Sequence, residues 1–141
     1  MTPKPPTVVD LTWIGDLKFA GISGAISITL DGDSAAGPSP VQALAFALAS
    51  CMATDVIFIL TKGRHPVSGL HAHLIAHRAQ QDPHRFLKVD LQFDVDGAVP
   101  LDAVERAIAL SREKYCSVWH SLNHDIDFQV TCDVHPQGSS T

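Results

Sequence analysis

The chain has 141 residues, of which 45% are apolar and 18% charged, with a formal net charge of −5. That is one ordinary domain with enough apolar residues for a core of its own, and too few charges for a chain disordered throughout. No stripe of lysine and arginine runs along it, so a nucleic-acid partner is not expected.

The first nine residues hold three prolines and one lysine and no apolar run. They read as neither a signal nor a transit peptide. Three cysteines, an odd number, fit a cytoplasmic protein whose thiols are reduced by default and whose disulfides are transient.

Residues 7–14, 17–21 and 24–30 are short β-branched and apolar runs, punctuated by Gly15–Asp16 and by Ile22–Ser23–Gly24. They predict a three-stranded antiparallel meander. Residues 31–40 (DGDSAAGPSP) are a loop by composition. Ser39 is a natural N-cap, with Pro40 at the first helical position. A helix is expected from there to Lys62, stopped by Gly63.

Between Val41 and Leu60 that helix is apolar almost throughout, and it is about long enough to span a bilayer. Gln42, Thr54 and Asp55 interrupt it and five alanines keep it narrow, so a helix buried all round is expected instead of a membrane span.

Residues 70–78 alternate, with Leu70, Ala72, Leu74 and Ala76 on one face and His71, His73, Ile75 and His77 on the other. Residues 86–95 alternate again, with Phe86, Lys88, Asp90, Gln92 and Asp94 opposite Leu87, Val89, Leu91, Phe93 and Val95. The two predict a long hairpin. A second helix is expected from Pro100 to Lys114, with Leu101, Val104, Ala107, Ile108 and Leu110 inward and Glu105, Arg106, Arg112 and Glu113 in water. A short helix over 117–122 and a strand over 125–132 follow. The fold class is α+β, in the order βββ–α–ββ–α–α–β. The domain is expected to occupy 1–133, with a flexible tail over 134–141.

Two cysteines carry the candidate chemistry. Cys51 sits mid-helix among small residues, a place where a cysteine is ordinarily a small hydrophobe. Cys116 lies at a helix junction after Arg112, Glu113 and Lys114, where a thiol can be exposed. Asp55 falls one turn after Cys51 on the same face, and its charge opposes thiolate formation. Its plain role is as a carboxylate bonded to backbone or to a basic partner. A reactive Cys51 needs a cation, for which Lys18, Arg64, Lys114 and His120 are the candidates by type.

The eight histidines raise a metal alternative, through His71, His73 and His77 or through Cys116, His120 and His124. The strand histidines diverge by about 13 Å between His73 and His77, and Asn123 ends the short helix before His124. Neither a metal nor any other cofactor is therefore expected.

Two segments, GPSPVQALAFALASCMATDVIFILTK (37–62) and VERAIALSREKYCSV (104–118), resemble the OsmC/Ohr family of thiol peroxidases and their OsmC-like relatives. The Ser-Pro opening, the small-residue helix with its cysteine, the Asp55 that follows and the Lys-Tyr-Cys-Ser-Val around Cys116 carry the likeness. It extends in element order to nearly the whole chain.

The resemblance implies an intertwined homodimer, with antiparallel sheets wrapped around two long central helices. It implies that Cys51 is the peroxidatic thiol and Cys116 the resolving one. An organic hydroperoxide would be the substrate and a dithiol the reductant. In the peroxidases proper a glutamate opens the central helix and pairs with an arginine from the N-terminal strands. Here Val41 and Gln42 stand at that opening, and only Lys4 and Lys18 are basic before it. The chain is thus more similar to the OsmC-like branch, for which an alternative is a dimer that binds a small apolar ligand without turnover. Cys132 matches no family motif and is expected to be structural.

Overall fold

The computed structural model of the protein describes residues 3–137. The chain divides into two compact units, Met1–Leu44 and Ala45–Thr141. The first holds β1 (Asp10–Gly15), β2 (Lys18–Ser23) and β3 (Ile26–Asp31), an antiparallel sheet in that order. Gly15 and Asp16 turn the first corner with positive φ, and Gly24 turns the second. Leu11, Trp13, Ile14, Ile22, Ile26 and Ile28 are exposed on this meander.

The loop after β3 is tied down by one side chain. The buried Asp31 accepts the amides of Asp33 (2.9 Å), Ala36 (2.9 Å) and Ala35 (3.3 Å), while its own N–H donates to Pro38 O (3.0 Å). Gly37 lies so close to Thr29 O that a Cβ there would stand 2.1 Å from it, so no other residue fits. The amides, Ala36 foremost, hold the Asp31 carboxyl below its ordinary value. A lowered folded-state value stabilises the fold above the unfolded value near pH 4, and that contribution is lost as pH falls through the folded one. Acid titration of stability is therefore expected to show a loss below about pH 4 that shrinks in Asp31→Asn, which is less stable at neutral pH. Equal acid slopes for the two proteins would refute this.

The loop delivers the chain to α1 (Pro40–Lys62), whose bounds match the sequence reading. Ser39 and Gln42 form a reciprocal cap: Gln42 N–H donates to Ser39 Oγ (3.1 Å) and Ser39 N–H donates to Gln42 Oε1 (2.9 Å). The residue expected to stop the helix does not carry the stop. Arg64, not Gly63, takes the left-handed conformation (φ 62°), and His65 N–H closes back on Leu60 O at 3.0 Å.

Within the single chain α1 is buried on one side. Only the stripe Leu48, Met52, Val56 and Leu60 is buried, while Phe46 (68%) and Phe58 (64%) are largely exposed. Among the described residues α1 is the one helix long and apolar enough to cross a membrane.

In the second unit, β4 (Val67–Arg78) and β5 (Phe86–Gly97) form the expected hairpin. The alternation read for β5 fails at its start. Arg78 pairs with Phe86 and His77 with Lys88, so Leu87 is an extra, bulged residue. Phe86 is thereby buried and Leu87 exposed, the reverse of strict alternation.

Next come α2 (Leu101–Leu110), a π-helical turn (Ser111–Tyr115), α3 (Ser117–His120) and β6 (Asp127–His135). Leu101, assigned inward, is exposed. The last strand pairs with β5 in parallel, so this sheet, β4–β5–β6, departs from the antiparallel expectation. The helical crossover between β5 and β6 is what a parallel pairing requires. Val134 and His135, read as tail, close β6, and residues 138–141 lie outside the described residues. The core of this unit is the inner sheet face (Val89, Leu91, Phe93, Val95, Phe128), the α1 stripe and Val104, Ala107 and Ile108 of α2.

Candidate functional site

All three cysteines are free. Cys51, near the middle of α1, is half-buried at the border between the buried stripe and the open face of the helix. Cys116 is completely buried, which corrects the expectation of an exposed thiol at a helix junction. The reason is local. Cys116 is the N-cap of α3, and its Sγ accepts the Trp119 N–H at 3.4 Å, so the sulfur turns inward to serve the helix start.

The fold brings the two thiols together. Cys51 is near enough to Cys116 to act on its ionisation, and Asp55 is close enough for its charge to do the same. Burial, first of all, pushes the Cys116 thiol up to about 11; Cys51 and Asp55 push the same way and the Trp119 amide opposes them. Cys116 is therefore a protonated thiol at neutral pH.

Among the described residues Asp55 has neither a basic nor a backbone partner. It accepts the hydroxyl of Ser111, 2.7 Å away and fully buried. Ser111 was missed in the sequence, although a signal exists: it falls seven residues after Val104 and carries the buried stripe of α2 into the π-helical turn, where a polar residue needs a partner.

Arg112 was misplaced for a related reason. A π-turn adds one residue to the helical repeat, so the α-helical wheel fails after Leu110. Arg112 turns in. It donates to Phe128 O (2.6 Å), and its guanidinium carbon lies 5.1 Å from the Phe128 ring centre and 5.7 Å from that of Trp119.

The candidate cations are engaged elsewhere or remote. Arg64 follows the far end of α1, Lys114 lies 5.3 Å over the Tyr115 ring, and His120 edges onto His124 at 5.7 Å. Lys18 belongs to the first unit, where it pairs with Asp16 at 3.7 Å. His124 stacks on Trp119 and donates to its carbonyl at 3.1 Å. His77 pairs with Asp90 on the outer sheet face. No group of three or more His, Cys, Asp or Glu side chains has metal-binding geometry among the described residues.

Cys132, half-buried, lines a separate shallow cavity of about 440 Å³ with Glu105, Ile108 and Arg112, and burial raises its thiol too. On α1, the open face carries an apolar cleft of about 590 Å³ lined by Ser50, Ala53, Thr54, Ile57, Phe58 and Thr61.

A family model for OsmC-like protein matches residues 19–131. The chain is 40% identical to protein YhfA of Escherichia coli K12 over 125 residues, covering 86% of this chain and 93% of that protein. A crystal structure from Aquifex aeolicus VF5 superposes with a TM-score of 0.89 at 25% identity, over 96% of this chain and 100% of that one. An organic hydroperoxide resistance protein OsmC from Legionella pneumophila superposes with a TM-score of 0.70 at 13% identity, over 94% of this chain and 100% of that one, a likeness of fold alone.

Proposed function

Since the chain belongs to the family of OsmC-like proteins, we propose that it is a cysteine-based reductase of organic hydroperoxides, acting in defence against oxidative stress. The observation that carries the reading is the meeting of Cys51 with Cys116 inside one unit of the fold. The Cys51 thiolate attacks the distal peroxide oxygen, the O–O bond breaks, and the alcohol leaves with a proton. Cys51 is left as a sulfenic acid. The Cys116 sulfur then attacks the Cys51 sulfur; the S–O bond breaks, water takes the Cys116 proton, and a disulfide remains. A dithiol reductant restores both thiols by exchange. The burial of Cys116 supports the division of labour, because a protonated, inaccessible thiol is a poor first nucleophile.

On this reading the protein is a cytoplasmic homodimer. A second copy would cover Phe46 and Phe58, and the apolar cleft on α1 would take the organic part of the hydroperoxide. The second reading is a dimer that binds a small apolar ligand without turnover. It is favoured by the lack of any arginine before Arg64, which leaves the N-terminal sheet without the family's thiolate partner.

The test is the rate of Cys51 alkylation against pH, before and after one equivalent of cumene hydroperoxide. Fast alkylation near neutral pH that vanishes after peroxide, with a Cys51–Cys116 disulfide found by mass, is the expected result. Thiols untouched by peroxide would move the binding reading to first place.

A further inference from the structure

Ser111 makes two bonds that run to the two thiol-bearing segments. Its carbonyl accepts the Cys116 N–H at 2.8 Å, the bond that closes the π-helical turn. Its hydroxyl donates to Asp55 Oδ2 at 2.7 Å. Asp55 stands four residues after Cys51, on the same face of α1. A single buried residue thus connects the turn holding one sulfur to the helix holding the other. The bond to a carboxylate is of the stronger, charge-assisted kind, and no buried side-chain nitrogen or oxygen among the described residues lacks a partner. The charge of Asp55 opposes ionisation of Cys116, so what Asp55 gives the pair is the bond it accepts.

We infer that the Asp55–Ser111 hydrogen bond is the positioning device of the thiol pair, setting the separation of Cys51 and Cys116 and so the ease with which they close to a disulfide. Its importance in turnover rests on the reductase reading, but it can be measured without any peroxide. In a dithiothreitol buffer the protein dithiol gives two electrons and two protons to oxidised dithiothreitol, and the Cys51–Cys116 disulfide forms as the reagent is reduced.

The experiment uses the full chain with Cys132→Ser, so that one intramolecular pairing remains, and reads the disulfide fraction by alkylation and mass across buffer ratios. Ser111→Ala and Asp55→Ala are each expected to shift the exchange constant about tenfold toward the dithiol, the scale of one charged hydrogen bond. The double variant should go little further, and Ser111→Thr, which keeps the hydroxyl, should restore most of the effect. Asp55→Asn keeps an acceptor and should lose less than Asp55→Ala.

A bond that serves the fold alone lowers the unfolding midpoint equally in dithiol and disulfide forms and leaves the exchange constant where it was. That result, or additive shifts in the double variant, would overturn the inference while the reductase reading stood. A parent protein that forms no Cys51–Cys116 disulfide at any buffer ratio would sink both.

Discussion

Cys51→Ser is expected to abolish consumption of organic hydroperoxide, a loss of roughly a thousandfold or more, because a hydroxyl offers the peroxide oxygen no reducing electron pair of comparable reactivity. Cys116→Ser should behave differently. One equivalent of peroxide is still consumed, and the Cys51 sulfenic acid accumulates and is trapped by dimedone. The wild-type protein should pass through the same species briefly. Its lifetime should shorten as pH rises toward the Cys116 value of about 11, because the attacking thiolate becomes more abundant. The expected slope is about tenfold per pH unit on the acid side of that value. Stopped-flow oxidation at several pH values measures it. A Cys51→Ser protein that turns over hydroperoxide at the wild-type rate ends the assignment, and a pH-independent lifetime removes Cys116 thiolate as the attacking species.

Trp119→Ala should be the most damaging change to the fold near the site, costing about 3–5 kcal/mol of unfolding free energy. The indole is almost fully buried and stacks on His124 with ring centres 4.4 Å apart. It also meets Phe128 at 4.6 Å and lies under the Arg112 guanidinium. Removing it leaves a cavity where α3 meets β6 and strips Arg112 of one of its two rings. The backbone amide that caps Cys116 survives the substitution, but the helix start that aims it loses its anchor. Denaturant unfolding of the reduced protein gives the number. A cost below about 1 kcal/mol would mean that the surrounding side chains collapse to fill the space.

Much of this architecture was legible because local chemistry and tertiary packing agree. Ser39, Pro40 and the apolar run behind them placed α1, and strict alternation placed β4 from Leu70 to Arg78 but not its first residues from Val67. The failures fall where one extra residue shifts a repeat. Leu87 does so in β5 and the π-turn does so after Leu110, and neither insertion leaves a mark in the pattern before the partner elements are known. The parallel pairing of β6 was invisible for another reason: orientation belongs to the crossover and not to the strand.

For the candidate site, Cys51 and Cys116 were named from their contexts, yet the burial of Cys116 was not. Flanking charges suggested exposure, whereas the capping geometry of four residues, Cys116 to Trp119, decided it. Asp55 was noticed and given the wrong kind of partner, since nothing in the sequence near α1 announces a serine 56 residues away.

The parallel strand β6 has a consequence for how the buried thiol meets the solvent. The β4–β5 hairpin closes over a short local turn, but β6 returns to β5 only after the whole helical crossover, so its docking closes a much larger loop. Phe128 of that strand is part of the core, so β6 is released only when the core of its unit opens. When that core opens, Phe128 leaves the Trp119 ring and Arg112 loses the carbonyl it grips, and the helix start that caps Cys116 loses its support. Labelling of the buried Cys116 sulfur in the resting protein then reports openings of the unit's core, and so its stability.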